Sequence, residues 1–187
     1  MAGTLEFRVA TPDDAPELRP LIKSAYRGEK RDKAWTSEGH LLTGERIDVP
    51  GIVAKITAPN AAILIAKDKS GAIVGCCEVA KTSDTIGYFG LFAVDPAKQG
   101  DGLGRKVLAY AEEYCRKTWG VQILEMQVIF TRDELISWYI RRGYHMTGEK
   151  RPFPYAELIN DTPLRDDLYF EILEKDLTGI APAPVTA

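Results

Sequence analysis

The stretch VDPAKQGDGLGRKVL, from Val94 to Leu108, decides the fold and raises the main functional question. Its glycines occupy every second position, at Gly100, Gly102 and Gly104. A helical pattern follows at once, and its first turn carries Arg105 and Lys106. Cations at this end of a helix oppose the macrodipole. The stretch therefore places positive charge where a helix start normally prefers acidic or capping residues.

Glycine backbones can adopt positive φ and approach a ligand closely, and the start of a helix exposes unpaired N–H groups. Together these features predict a cradle for a phosphate or diphosphate group. The anion would compensate Arg105, Lys106 and the nearby Lys98. A loop that only needs flexibility is the alternative explanation of the glycines.

The spacing of the glycines narrows the choice of phosphate ligand. A P-loop requires GxxxxGK[ST], which the stretch lacks. A dinucleotide fold requires GxGxxG directly after a strand, but here Asp95 to Gln99 intervene and Arg105 stands at the third glycine position. Glu125, about twenty residues further on, only superficially imitates the ribose-binding carboxylate of that fold. A nucleotide-binding protein is therefore a disfavoured alternative.

The composition is that of an ordinary globular protein. The chain has 187 residues, of which 45% are hydrophobic and 27% charged, with a net charge of −3. We expect one domain over residues 1–187, with a core at about 5–177 and a disordered tail at 178–187. The negative net charge does not indicate binding to nucleic acid. No apolar run is long enough to span a membrane. We expect a soluble, cytoplasmic protein.

The cysteines and histidines predict neither a disulfide framework nor a metal site. Cys76 and Cys77 are adjacent, Cys115 lies on a helical stripe, and the count is odd with no CxxC pair. His40 and His145 are far apart and lack ligand spacing.

The first half of the chain predicts a strand, two helices and an antiparallel run. Thr11 caps the first helix, and Thr36 or Ser37 caps a second short helix that Gly44 ends. The turn KSG joins two strand-like runs into a hairpin. The predicted segments are a strand at 5–10, a helix at 11–28, a helix at about 36–44, and strands at 61–68, 72–81 and 85–94.

The second half predicts a strand–helix–strand–helix–strand order with parallel strands around the first helix. Apolar residues recur at helical spacing after the glycines, and residues 121–130 form a strongly β-prone run. Thr131 and Glu134 form a capping box for the next helix, and Gly143 stands at its C′ position. Residues 166–177 form a closing strand. The class is α/β, with the glycine turn at the carboxyl end of a strand.

Two motifs resemble the GNAT family of N-acetyltransferases. QGDGLG fits its Q/R-x-x-G-x-G/A acyl-CoA motif through Gln99, Gly102 and Gly104. RDELISWYIRRGY is similar to its second motif, N-x-x-A-x-x-x-Y-x-x-x-G-F, and the matching positions are Tyr139, Gly143 and Tyr144. The resemblance covers roughly residues 5 to 177. It implies a mixed, mostly antiparallel sheet with helices on both faces and one parallel β-α-β unit, splayed between the family's fourth and fifth strands.

The resemblance implies acetyl-CoA as co-substrate, with its pantetheine arm between the splayed strands. Backbone groups of Phe92 and Val94 would pair with that arm. The diphosphate-binding stretch would comprise Gln99, Gly100, Asp101, Gly102, Leu103, Gly104 and Arg105, with Lys106 beside it. Arg132 replaces the Asn of the second motif; it would either reach a CoA phosphate or lie solvated, and we favour the solvated position.

The resemblance also implies the reacting groups. Tyr139 would give a proton to the departing thiolate, although a core tyrosine on an apolar stripe is the alternative from the pattern alone. Either Glu125 or Gln127 takes the position of a general base used by some relatives, and Tyr88 lies where histone-type relatives keep a catalytic Glu. The further candidates Glu78, Glu38, His40, His145 and water leave the base open.

The acceptor wall is expected in AWTSEGHLLTGER, where Trp35 and the Leu41–Leu42 pair suit an apolar side and Glu38 would face a cationic amine. A capped helix with a buried tryptophan is the alternative explanation of this stretch. Tyr88 joins the expected substrate-binding residues, and residues 151–167 form a lip. We expect a small-molecule amine acceptor and a monomer or homodimer. A catalytically silent acyl-CoA-binding module on the same fold is the second hypothesis.

Overall fold

The computed structural model describes residues 5–28 and 37–179. The expected substrate residue Trp35 and the cap candidate Thr36 lie outside the described residues, as does the predicted tail from residue 180 onward. Within the described ranges no helix has both the length and the apolar character needed to cross a membrane.

Four α-helices and nine strands build the described part of the chain. The helices are α1 (Ala15–Arg27), α2 (Val49–Thr57), α3 (Leu103–Trp119) and α4 (Asp133–Ile140). The strands are β1 (Glu6–Val9), β2 (Leu42–Gly44), β3 (Ala61–Lys67), β4 (Ile73–Lys81), β5 (Ile86–Val94), β6 (Ile123–Ile129), β7 (His145–Pro152), β8 (Asp161–Pro163) and β9 (Tyr169–Asp176).

A seven-stranded sheet in the order β1-β3-β4-β5-β6-β9-β7 forms the centre of the molecule, and β2 pairs with β8 in a small second sheet. The predicted β3–β4 hairpin is confirmed by its antiparallel register. The predicted parallel pair flanking α3 is also confirmed, since β5 and β6 run parallel. The other neighbouring strands are antiparallel, so the sheet is mixed and mostly antiparallel, as expected.

Each face of the sheet buries its own apolar cluster because strand side chains alternate between faces. One cluster joins α3 and α4 to the sheet and includes Phe89, Leu108 and Tyr139. The other joins α1 and α2 to the opposite face through Leu18, Ile52 and neighbours. Helices therefore cover both faces of the sheet that carries the site described below.

The helix predicted at 36–44 is wrong. In its described part, residues 37–44, one turn forms, with the amides of Leu41 and Leu42 donating to the carbonyl of Glu38. The chain then becomes β2, because Leu42 is buried in a third apolar cluster and pairs with β8. At Gly44, φ is +133°, and a Cβ there would lie 2.1 Å from the Asn160 carbonyl oxygen. The second helix is instead α2, capped by Asp48.

The capping box predicted for α4 is also wrong. Arg132 occupies the N-cap position, and the Thr131 hydroxyl is buried without a hydrogen-bond partner. The helix ends at Ile140, and Gly143 adopts φ +93° two residues after the C-cap Arg141. A glycine is needed at this turn because a positive φ is strained for residues with a Cβ.

Candidate active site

The site is organised by a gap between β5 and β6. The two strands pair only from Ile86 to Phe89 of β5, and the last pair is Phe89 with Met126. Both strands continue for several residues beyond that pair without a register between them. Among the described residues, the facing edges of β5 and β6 have no strand register here, and an extended ligand can pair with such an edge as a strand would.

A bulge in β5 lies at the beginning of the gap. The register with β4 shifts between Cys76 and Glu78, so that two β5 residues oppose Cys77. Leu91, one of these two, has φ +44°. Bulges bend a strand and re-aim its groups, and they are common next to functional sites. The bend is consistent with β5 turning away from β6 at this point.

A cavity of about 100 Å³ occupies the gap. The β5 wall runs from Tyr88 to Phe92, the β6 wall from Met126 to Val128, and α4 contributes Leu135 and Tyr139. The remaining lining residues are Tyr26, Glu38, Arg46, Arg132 and Phe170. We call this space the gap cavity.

A second groove, of about 260 Å³, lies over the glycine turn. Gly100 has φ +101° and Gly102 has φ +73°, and Gly102 is the N-cap residue of α3. The first amides of a helix lack intrahelical partners, so this turn presents donors to the groove. The lining residues are Val94, Gln99, Gly100, Gly102, Leu103, Gly104, Arg105, Trp138 and Arg142. We call this space the glycine groove.

Cations surround the glycine groove without a carboxylate among its lining residues. The guanidinium of Arg142 lies 3.6 Å from the ring centroid of Trp138 and donates to its carbonyl oxygen at 2.7 Å. Burial, and then the charges of Arg141 and Arg105, lower the pKa of Arg142. The Nε of Arg142 and the Oε1 of Gln99 are buried without hydrogen-bond partners. The Arg142 Nε–H is a donor that an anion could satisfy beside the second cation Arg105, whereas the Gln99 Oε1 is an acceptor.

Other expected coenzyme residues lie at or near this groove. Phe92 lines the gap cavity and Val94 the glycine groove, so both stand along the open part of β5. Asp101 and Lys106 belong to the same turn but are outside the groove lining. Lys98 forms an ion pair with Asp68, which takes its charge away from the groove.

Tyr139 lies in the wall of the gap cavity and is only 3% exposed. Its ring contacts Phe89 edge-on at 6.3 Å and Phe92 at 6.5 Å between centroids. Burial raises the pKa of Tyr139 well above its ordinary value near 10. The hydroxyl therefore stays protonated and can act as a donor throughout the neutral range.

A third, larger space of about 610 Å³ opens on the other side of the gap cavity. It lies between the β2–α2 segment, β6 and the stretch from Phe153 to Asp161. It shares five lining residues with the gap cavity: Glu38, Arg46, Tyr88, Gln127 and Phe170. The predicted lip at 151–167 thus borders this space, which we call the acceptor groove.

Glu38 is buried and already paired with two guanidiniums. Its carboxylate lies 3.2 Å from Arg27 Nη1 and 2.9 Å from Arg132 Nη1. Burial acts to raise the pKa of Glu38, but the surrounding arginines outweigh burial and leave this pKa below its ordinary value. Arg132 is correspondingly buried rather than solvated, with its side chain 8% exposed. The favoured expectation of a solvated Arg132 is therefore wrong, because Glu38 draws it inward.

Tyr88 and Glu125 are neighbours across the parallel pair but differ in their surroundings. Tyr88 lines both the gap cavity and the acceptor groove, and burial raises its pKa to about 12. Glu125 is held by Arg151 in a bidentate pair with distances of 2.6 and 3.0 Å. Glu125 is absent from the lining of both spaces, whereas Gln127 lines both.

Sequence reasoning missed several residues that the fold brings to these spaces. Trp138 and Arg142 are four residues apart across the C-terminal end of α4, a spacing that could have identified them as neighbours. Arg46 and Asp161 lie far apart in sequence and meet only because β2 pairs with β8. No local pattern signals that meeting.

Comparison with known proteins agrees with this architecture. Residues 59–146 match the family model of the acetyltransferase (GNAT) domain, which includes β5, the glycine turn, α3 and α4. Comparison with curated protein sequences gives no match. The resemblance to the GNAT family seen in the sequence is thereby confirmed.

Solved structures share the fold over nearly the whole chain. The PaiA N-acetyltransferase of Thermoplasma acidophilum, solved with coenzyme A, is 17% identical to this chain with a TM-score of 0.65. The alignment covers 92% of this chain and 99% of the PaiA chain. YncA of Salmonella typhimurium, solved with acetyl-CoA, is 16% identical with a TM-score of 0.65, covering 98% and 99%. A chimera of the Vibrio cholerae spermidine N-acetyltransferase is 14% identical with a TM-score of 0.66, covering 93% and 96%.

These likenesses establish that the chain has the fold of the GNAT acetyltransferases, and residues 59–146 match the model of that domain. Acetyl-CoA as co-substrate is consistent with the ligands of the two structures solved with CoA or acetyl-CoA.

Proposed function

We propose that this GNAT-fold protein transfers the acetyl group of acetyl-CoA directly to an amine of a small-molecule acceptor. The observation that carries the proposal is the separation of β5 from β6 after the Phe89–Met126 pair. The resulting gap cavity shares its lining with the acceptor groove, and Phe92 in its wall contacts Trp138 of the glycine groove at 5.8 Å. The three spaces therefore follow one another along β5.

The glycine groove supports the placement of the coenzyme. Backbone N–H groups from Gln99 to Arg105 would hold the diphosphate, and Arg142 and Arg105 would neutralise its charge. Backbone groups of Phe92 and Val94 would pair with the pantetheine arm along the open edge of β5. Arg132 lies instead beside the gap cavity, so we place it near the reacting end rather than at the diphosphate.

Acetyl-CoA supplies an activated thioester. The neutral amine attacks its carbonyl carbon, the C–N bond forms, the C–S bond breaks, the nitrogen loses one proton and the thiolate gains one. Tyr139 would give the proton to the sulfur because it lines the gap cavity and remains protonated. A backbone N–H of the bulge near Phe92 would stabilise the oxyanion that develops on the carbonyl.

We assign the proton lost by the amine to solvent in the acceptor groove. The Glu125 carboxylate is engaged by Arg151, and the lowered pKa of Glu38 makes it a weak base. Gln127 lines the right space but carries no basic group. Alignment of amine and thioester in adjoining spaces then supplies most of the rate acceleration.

Release of free CoA thiol tests the proposal. Purified protein is mixed with acetyl-CoA and a panel of small amines, and thiol is measured against time. We expect amine-dependent release. A rise in the unfolding temperature with CoA but no release with any amine would favour a silent acyl-CoA-binding module, and a rise with NAD or ATP instead of CoA would favour a nucleotide-binding protein.

The proposal extends to the cellular compartment and the oligomeric state of the protein. Its three cysteines are free and buried, which suits the reducing cytoplasm. A monomer or homodimer without nucleic-acid partners remains our prediction.

A further inference from the structure

A cluster of five charged side chains lies where the acceptor groove meets the gap cavity. We define this arginine cluster as Arg27, Glu38, Arg46, Arg132 and Asp161. Arg27 bridges both carboxylates, at 3.2 Å from Glu38 and 2.8 Å from Asp161. Arg132 donates to the other Glu38 oxygen at 2.9 Å. Three guanidiniums therefore face two carboxylates, which leaves one positive charge in excess.

Arg46 is the cation of the arginine cluster that makes no direct ion pair with a described residue. Its guanidinium lies over the ring of Tyr26, 5.0 Å from the centroid. Within residues 5–28 and 37–179, no carboxylate forms an ion pair with it. Its backbone has φ +67°, an unfavourable value for a residue with a side chain, and its N–H donates to Asp161 at 2.9 Å. The wall shared by the two spaces thus holds a guanidinium that forms no ion pair among the described residues, although Glu38 and Asp161 attract it.

Arg132 provides a buried donor without a hydrogen-bond partner in the described part of the chain. Its side chain is only 8% exposed, and its Nη1 is bonded to Glu38. Its Nη2 is buried without a hydrogen-bond partner, and the residue lines the gap cavity. A buried donor without a partner destabilises the folded protein, and a hydrogen bond to an acceptor oxygen of a ligand would offset this cost.

The other charged residues around the acceptor groove have partners of their own or face solvent. Lys55 is paired with Glu78 at 2.7 Å, so the two charges offset each other. Asp48 keeps its negative charge but caps α2, where it accepts a hydrogen bond from the Gly51 amide and the helix dipole offsets part of that charge. Glu157 lies on the exposed rim, where water screens its charge.

We infer that the acceptor is an amine that also carries a carboxylate, and that Arg46 and Arg132 bind this carboxylate. The inference rests on the proposed function, because it names the acceptor class of the same site. A guanidinium donates paired N–H groups to a carboxylate, a strong and directional interaction. A polyamine would bring further positive charge beside the excess cation of the arginine cluster.

The remaining wall of the acceptor groove specifies the rest of the acceptor. It is largely apolar, with Leu42, Ile47, Ile129, Phe153 and Phe170 among its lining residues. This composition favours an apolar side chain on the acceptor. The chemistry that fits the whole site is therefore an amino acid with an apolar side chain.

Matched substrate pairs test the inference. The probes are L-phenylalanine with phenethylamine, L-leucine with isoamylamine, and spermidine. We expect kcat/KM to be at least about tenfold higher for each amino acid than for its decarboxylated partner. Arg46→Gln should lower kcat/KM for the amino acid at least about tenfold more than for the amine. Lys117→Gln, which removes an exposed charge on α3, should leave the preference unchanged.

A binding measurement separates this inference from the transferase proposal. In the presence of CoA, titration with 3-phenylpropionate, which has the carboxylate but no amine, should show binding to the wild type that Arg46→Gln abolishes. Turnover with amines but no preference for the carboxylate would overturn the inference and leave the transferase. Arg46-dependent binding of 3-phenylpropionate with no turnover of any amine would support a carboxylate site at Arg46 and overturn the transferase proposal. Equal binding to wild type and Arg46→Gln would also overturn the inference.

Discussion

A Cβ atom placed on Gly90 would lie 2.2 Å from the hydroxyl oxygen of Tyr88. The phenol ring of Tyr88 therefore folds over the backbone of Gly90, in the strand β5 where pairing with β6 ends. Tyr88 lines both the gap cavity and the acceptor groove. The position of this ring in the site thus depends on the absence of a side chain two residues later.

Gly90→Ala is expected to displace the Tyr88 ring, because the added methyl group would overlap its hydroxyl end. We predict a KM for the acceptor raised about threefold or more, with CoA affinity unchanged, since the interaction removed is one of packing and orientation. A steady-state titration of acceptor at saturating acetyl-CoA measures it.

A double-mutant cycle identifies the cause. In a Tyr88→Ala background, where there is no ring to displace, Gly90→Ala should have little further effect on KM. An equal effect in both backgrounds would show that the methyl group acts on the backbone rather than through Tyr88.

Local sequence signals were sufficient to predict the helices and strands that form the coenzyme end of the site. The glycine spacing, the helical stripe of α3 and the β-prone run of β6 are each decided by neighbouring residues. The hairpin β3–β4 is likewise encoded by its turn. These elements obey periodicity and turn chemistry, so they could be predicted.

The acceptor end could not be predicted in the same way. Leu41 and Leu42 read as part of a helix, but burial against Ile129 and Leu168 draws them into a strand and a loop contact. The contact of Arg27 with Asp161 joins residues 134 positions apart. At such places long-range pairing overrides local propensity, and this pairing cannot be inferred from the local patterns of a single sequence.

Gly102→Val should abolish the stabilisation by CoA. Gly102 has φ +73° at the start of α3, which a β-branched residue tolerates poorly, and the new side chain would disturb the amides of the glycine groove. Gly120→Val is the matched control, because Gly120 has φ +67° at the other end of the same helix. Calorimetric titration with CoA should show loss of binding for Gly102→Val alone; parallel loss in both variants would point to general damage.

Arg105→Gln should stabilise the free protein slightly and weaken CoA binding. Arg105 is exposed in the first turn of α3, where its charge opposes the helix dipole by about 0.3–1 kcal/mol. Lys117→Gln, in the last turn of the same helix, should have the opposite effect on stability and none on CoA. Urea unfolding and CoA titration measure the two quantities, and unchanged CoA affinity in Arg105→Gln would remove Arg105 from the diphosphate site.

Tyr139→Phe should retain CoA binding and lower kcat at least about tenfold, because a general acid is typically worth about 10² to 10⁴ in rate. Binding is measured by titration with CoA, and kcat by thiol release. Wild-type turnover in the phenylalanine variant would exclude Tyr139 from proton transfer.

The pH dependence of the wild type provides an independent check of Tyr139. Burial raises its pKa above 10, so the donating form is fully present below pH 10 and is lost only above that raised pKa. The kcat–pH profile should therefore lack a falling limb due to Tyr139 between pH 7 and pH 9. A falling limb in that range that Tyr139→Phe abolishes would contradict the proposed environment.

The most direct test is a crystal structure of the protein with acetyl-CoA. The account predicts the diphosphate on the backbone amides between Gln99 and Arg105, and the thioester sulfur within hydrogen-bond reach of the Tyr139 hydroxyl. Coenzyme bound elsewhere on the molecule, or a protein that binds no CoA at millimolar excess, would contradict it.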